Sequence, residues 1–359
     1  MNFKLIFKTG SLLSLCFACL MLNLALGIDV VPNSMTSVEK SMIYPMSDLE
    51  NFTIIVLPDT QYYSENYPWI FDNQTQWILE NKESRNIVFV THLGDVVDHW
   101  WSIEEWDNAN TSLSKLDGNV PYGVLPGNHD GAEPNGDLTN YNNYFGFDRF
   151  NNESWYGGAY KNINTNNYQL FSAGGDDYLI FHIQFNPSDD ILFWASDVID
   201  QYPNRRVIVS THNYVHGYYS NSRSGMGDNM WDKLVKPHAD QVFLVLSGHY
   251  EYEVRITSLE DGNFVHQLLS DYQNRADSGN GWLRIIEFSP NIDEISIKTY
   301  SPYLNKYKTD SNSQFILDKK ITENDFMLPI SIFLAWIILS IVITLTIRYF
   351  ILRRPRKNQ

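Results

Sequence analysis

The chain has 359 residues, 43% of them hydrophobic and 19% charged, which is enough for a large domain with a full apolar core and too apolar for a disordered chain. The net charge is −16, and the basic residues crowd toward the ends: between residues 28 and 347, 19 Lys and Arg stand against 42 Asp and Glu. Such a surface repels polyanions and excludes a dedicated nucleic-acid binder. The two cysteines, Cys16 and Cys19, both lie in the N-terminal apolar stretch. The remainder can therefore form no disulfide and no thiolate metal site.

Residues 1–27 read as a signal peptide. Lys4 and Lys8 precede an uncharged apolar run over 11–26, and Ala25 and Gly27 are small residues before a cut ahead of Ile28. Residues 28–48, with Pro32, Pro45 and several Ser, read as a linker. From there to residue 303 the pattern is that of one catalytic domain. Strands are expected at 52–57, 87–93 and 120–125, where short runs are apolar and β-branched, with helices at 70–83 and 102–116 between them. The Asn-, Gly- and Tyr-rich stretch 131–176 reads as surface loops. Strands at 178–185, 206–210 and 242–246 follow, separated by helices at 189–201 and 228–238. Strands at 254–258, 264–269, 283–288 and 295–299 then come without helices. Alternation first and strands later imply a mixed α/β domain with two sheets.

Residues 304–326 are polar and read as a stalk. Residues 327–347 carry no charged side chain, and a helix of that length crosses a bilayer core of about 30 Å. The basic tail 348–359 then places the C-terminus in the cytoplasm, giving a single-pass type I membrane protein with its catalytic domain outside the cell. Four N-x-S/T sequons, at Asn51, Asn73, Asn110 and Asn152, agree with a glycoprotein surface.

Metal-type side chains follow five of the expected strands. Asp59-Thr60-Gln61 comes after the first, Gly94-Asp95-Val96-Val97-Asp98 after the second and Gly127-Asn128-His129-Asp130 after the third. His212 follows the strand at 206–210, and Gly248-His249-Tyr250-Glu251 the strand at 242–246. The carboxyl ends of strands are where α/β sheets present ligand sites. A single Asp there is an ordinary helix cap; five ligand-bearing strand ends point to a metal centre.

The G-D-x-x-D, G-N-H-D and later G-H motifs, in this order, resemble the calcineurin-like metallophosphoesterase superfamily over residues 52–303. The similarity is strongest to a subgroup opening with D-T-Q and carrying Tyr272-Gln273-Asn274-Arg275, Gly281-Trp282-Leu283-Arg284 and Tyr300-Ser301-Pro302. The resemblance implies a calcineurin-like β-sandwich flanked by α-helices and two divalent metal ions (Mn, Fe, Zn, Mg or Ca). It implies that Asp95 bridges both metals and that Asp59 binds the first. Asn128, His212 and His249 complete the second. His129 lies beside the leaving group, oriented by Asp98.

Two positions depart from the superfamily, Gln61 and Glu251, each standing where a histidine is usual. With Asp59 and Asp95 they would make an all-oxygen first site suited to a hard ion; the alternative for Glu251 is a solvated residue, leaving that metal short of a fourth protein ligand. Arg275 and Trp101 are candidate substrate contacts, for a phosphate and for a ring, although a surface ion pair and rim packing explain them as well. The implied function is metal-dependent hydrolysis of phosphate mono- or diesters at the outer cell surface. The alternative is a catalytically weakened surface protein that binds phosphorylated ligands.

Overall fold

The computed structural model describes residues 50–217 and 221–317. The expected signal peptide, the linker, the membrane helix 327–347 and the basic tail lie outside the described residues. Among those described, no helix is long and apolar enough to cross a membrane.

In chain order the strands are β1 (Phe52–Leu57), β2 (Ile87–His92), β3 (Tyr122–Gly123), β4 (Tyr156–Ala159), β5 (Asn166–Ala173), β6 (Asp176–Ile183), β7 (Arg206–Thr211), β8 (Val215–His216), β9 (Ser222–Arg223), β10 (Val242–Ser247), β11 (Glu253–Glu260), β12 (Asn263–Ser270), β13 (Leu283–Ser289), β14 (Glu294–Ser301), β15 (Lys306–Lys308) and β16 (Gln314–Ile316). The helices are α1 (Gln61–Asn66), α2 (Pro68–Asn81), α3 (Ile103–Leu113), α4 (Thr139–Phe145), α5 (Phe147–Phe150), α6 (Asp189–Gln201) and α7 (Gly225–Met230).

Two sheets form the sandwich. One runs β15-β14-β13-β1-β2-β3, with β16 also on β14; the other runs β11-β12-β10-β7-β6-β5-β4. β1 is apolar at almost every position because both of its faces are covered. Phe52, Ile54 and Val56 pack with Tyr178, Ile180, Ile208, Leu244 and Leu246 of the opposite sheet. Ile55 and Leu57 point the other way, onto Ile70, Phe71 and Ile78 of α2 and Trp106 of α3. A matching outer layer covers the second sheet, where Leu192, Ala195 and Ile199 of α6 join Val207, Val209 and Val245.

Three expectations are corrected. The stretch 131–176 is not loop throughout; it contains α4, α5, β4 and the eight-residue β5. Its Asn-rich composition hides a buried role, because the amides satisfy backbone groups. Asn164 Nδ2 donates to the Phe145 carbonyl at 2.7 Å and Asn167 Nδ2 to the Val124 carbonyl at 3.2 Å. The strand expected at 120–125 pairs only at Tyr122 and Gly123, because β3 lies at the sheet's edge. The start of the expected stalk belongs to the domain: β15 and β16 both pair with β14. Three-residue strands carry too little periodicity to be read from sequence.

Candidate metal centre

β1, β2 and β3 run parallel in one sheet, and β6, β7, β10 and β12 run parallel in the other. Their carboxyl ends meet at one end of the sandwich. Donor atoms of Asp95, His212 and His249 lie within 4.8 Å of one another there. His212 Nε2 is 3.0 Å from Asp95 Oδ2 and 3.2 Å from Asn128 Oδ1. The opposite ring nitrogen, Nδ1, is 2.8 Å from the Leu93 carbonyl and donates to it. In the neutral ring Nε2 is then a lone pair aimed at two oxygens, an arrangement that requires a cation between them or a proton on the ring. These donors fit a divalent ion of the kind that accepts imidazole and oxygen together.

The electrostatics follow from burial and crowding. Burial opposes the charged form of His212, but the Asp95 and Asp59 carboxylates push it up to about 10. Burial likewise works against ionised Asp95, and His212 and His129 overcome it, holding that carboxyl below its ordinary range. Burial, reinforced by Asp271, raises Asp59. His249 is driven down to about 3 by burial and by His212, so it offers a free lone pair.

The loops take unusual shapes to bring these groups together. Asp95 and His249 have φ of +48° and +72°, a left-handed conformation uncommon outside glycine, though Asp and His enter it more readily than most side chains. Two glycines make the approach possible. A Cβ on Gly127 would stand 2.1 Å from Asp95 Oδ1, and one on Gly248 2.1 Å from Asp59 Oδ1.

Asp59 and Gln61 form the oxygen-rich half. The His249 amide donates to Asp59 Oδ2 at 3.0 Å, while Asp59 Oδ1 is buried without a partner among the described residues. Gln61 Nε2 donates to Asp98 Oδ1 at 3.0 Å, leaving Gln61 Oε1 also buried and, among the described residues, unpartnered. Orphaned buried oxygens are costly unless something absent from the protein itself satisfies them. Glu251 is not gathered with this group. Successive tight bonds, from Tyr250 N–H to the Gly248 carbonyl and from Tyr252 N–H to the Tyr250 carbonyl, send it outward. Its Oε2 accepts from Asn274 Nδ2 at 2.5 Å.

His129 sits on the open side. Its amide donates to Asp95 Oδ1 at 2.9 Å, and its Nδ1 lies 2.9 Å from the Asp98 carbonyl and 3.1 Å from Asp98 Oδ1. Burial disfavours the imidazolium, but Asp95 and Asp98 raise its pKa above the ordinary value. Asp98 Oδ1 thus serves both Gln61 and His129. The rim beside His129 is a cavity of about 290 Å³ lined by Asp98, His99, Trp100, Trp101, Asn128 and Glu133. Trp101 is 60% exposed and packs edge-on against Trp100 and His99. Arg275 is exposed and lies over the Tyr272 ring at 5.9 Å.

Three acids carry roles that the sequence left unassigned. Asp130 receives the amides of Val96, Val97 and Gly127 at 2.9–3.0 Å, tying the two motif loops together. Glu105 Oε2 receives the amides of Asp98 and His99 at 2.8 and 2.9 Å. Asp271, just past β12, is wholly buried. The G-N-H-D motif was the available signal for Asp130; the other two are lone acids with none. His92 is a packed residue, 2.9 Å from Thr60 Oγ1 and accepting the Gly94 amide.

Residues 52–250 match the family model described as calcineurin-like phosphoesterase. The chain is 39% identical over 290 residues to the YvnB protein of Bacillus subtilis (strain 168), covering 78% of this chain and 22% of that protein, so it spans about a fifth of its relative. Among solved structures, a dimetal phosphatase from Danio rerio aligns with TM-score 0.50 and 14% identity over 75% of this chain and 99% of that one. The purple acid phosphatase PPD1 of yellow lupin aligns with TM-score 0.50 and 13% identity over 78% and 56% of the two chains. These structural likenesses concern the fold alone; the family match over residues 52–250 places the chain in the calcineurin-like phosphoesterase family.

Proposed function

We propose that this protein hydrolyses phosphate mono- or diesters outside the cell, at a two-metal centre held by Asp59, Gln61, Asp95, Asn128, His212 and His249. The observation that carries this reading is the convergence of Asp95, His212 and His249 donor atoms within 4.8 Å, with Asn128 Oδ1 beside them. Bound divalent cations would polarise a phosphoryl oxygen and lower the pKa of water, supplying a nucleophile at neutral pH.

The chain's own residues do the rest. Asp95 offers one oxygen toward His212 and holds the His129 loop with the other, which suits it to bridge the two halves of the centre. Asp98 accepts from His129 Nδ1, so His129 Nε2 is the nitrogen left to face a substrate. There it donates a proton, or a hydrogen bond, to the departing oxygen. The leaving group lies in the cavity beyond His129, against Trp100 and Trp101. The test is a panel of aryl and alkyl phosphate mono- and diesters, assayed with each of several divalent metals. Binding of metal and phosphate without turnover would instead support the weakened binding protein, which Glu251's outward turn favours.

The extracellular, type I placement rests on the sequence of residues 1–27 and 327–359.

A further inference from the structure

We propose that Asp271 supplies a carboxylate to the oxygen-rich half of the metal centre, beside Asp59 and Gln61, and that Glu251 does not. This rests on the two-metal reading above and names a ligand that reading lacks. β12 runs parallel to β10, with Leu269 opposite Ser247. Asp271 therefore leaves its sheet at the same end as Gly248 and His249, one strand over. Its amide donates to the Tyr252 carbonyl at 3.0 Å, fastening it to the turn that carries His249. That turn in turn holds Asp59 through the His249 amide.

The carboxyl group itself is only half used. Oδ1 accepts the Gln273 amide at 3.0 Å, whereas Oδ2 is buried with no partner among the described residues. Asp59 Oδ1 and Gln61 Oε1 are in the same condition. Asp271 is the charge that acts most strongly on Asp59, and Asp95 and Glu251 add to the negative field around it. Acids buried together with orphaned oxygens are unfavourable alone and favourable around a cation. A hard ion such as Mn²⁺ or Mg²⁺ would accept oxygens of this kind, and no imidazole would be needed. Glu251 lacks these properties, being partly exposed and already bonded to Asn274.

A rival role for Asp271 is to share a proton with Asp59. Asn keeps the size and one hydrogen bond but loses the charge, so it separates the two roles. Full-length wild type, Asp271→Asn and Glu251→Gln would be stripped of metal, loaded with Mn²⁺ and analysed for bound manganese and its electron paramagnetic resonance spectrum. Wild type and Glu251→Gln are expected to hold two ions, and Asp271→Asn one, with affinity at the lost site falling by about 100-fold or more. The metal-free Asp271→Asn chain should also melt above metal-free wild type, because a buried like charge is gone; an acid that served the fold alone would give the opposite shift. Asp271→His, tested in the same way, should regain the second ion and shift its preference from Mn²⁺ to Zn²⁺. Two tightly bound ions in Asp271→Asn, or unchanged metal preference in Asp271→His, would overturn the assignment while leaving the metal centre standing. A wild type that takes up no ion would overturn the metal centre, and Asp271's role with it.

Discussion

His212 Nε2 lies 3.0 Å from Asp95 Oδ2 while its other nitrogen is committed to the Leu93 carbonyl. The metal-free ring must therefore carry a second proton to face that carboxylate, and against the pull of burial Asp95 and Asp59 push its pKa up to about 10. A metal ion has to displace this proton. Below that pKa, each unit of rising pH makes the displacement easier, so metal affinity is expected to rise by about tenfold per pH unit across the neutral range. Calorimetry in buffers of different ionisation enthalpy would register the released proton. Affinity independent of pH would show that His212 is not a ligand.

The glycines at the centre give a more local check. Gly248→Ala pushes a methyl group into Asp59 Oδ1, and Gly127→Ala into Asp95 Oδ1. The first should weaken metal binding in the oxygen-rich half; the second should weaken both halves, because Asp95 is proposed to bridge them. Gly225→Ala, where a Cβ meets nothing within 4 Å among the described residues, is the control and should bind metal as wild type does. Metal titrations of the three variants measure this directly.

His129 is expected to matter in proportion to how badly the leaving group needs a proton. His129→Ala should lower kcat by about 100-fold or more on an alkyl phosphate, and far less on a nitrophenyl ester, whose phenolate departs unaided. Asp98→Ala should share this pattern and also loosen metal binding, since Asp98 Oδ1 positions Gln61 as well. An equal loss on both substrates for His129→Ala would remove it from the protonation step.

How much of this was legible beforehand depended on the kind of signal. The central strands could be read because burial on both faces makes them continuous apolar runs, as in Phe52–Leu57. The candidate ligands stand out because short motifs follow those strands, and the structure brings Asp95, Asn128, His212 and His249 together. Glu251 illustrates the limit. Its position in a motif suggested a ligand, but a backbone turn decided where it points, and turns of that kind leave little trace in composition. Asp271 is the converse case. It follows a late strand as a lone acid, and only the parallel pairing of β10 with β12 brings it to the turn whose His249 amide holds Asp59. Asn164 and Asn167 looked like surface residues because amides usually are; buried carbonyl partners made them core.

The proposed type I topology has its own check. Protease added to intact cells should release the catalytic domain and leave the basic tail protected. A domain that resists until the cells are lysed would reverse the orientation.

The claim on which most else depends is that metal ions at Asp95 perform phosphate-ester hydrolysis. The most direct measurement follows hydrolysis of an aryl phosphate by the purified full-length protein, before and after exhaustive chelation and on adding back each divalent metal, with Asp95→Asn in parallel. Activity should vanish on chelation and return with metal. Asp95→Asn should retain the fold by circular dichroism, yet lose metal and at least about 100-fold in rate. Hydrolysis that survives chelation, or that Asp95→Asn leaves unchanged, would contradict it.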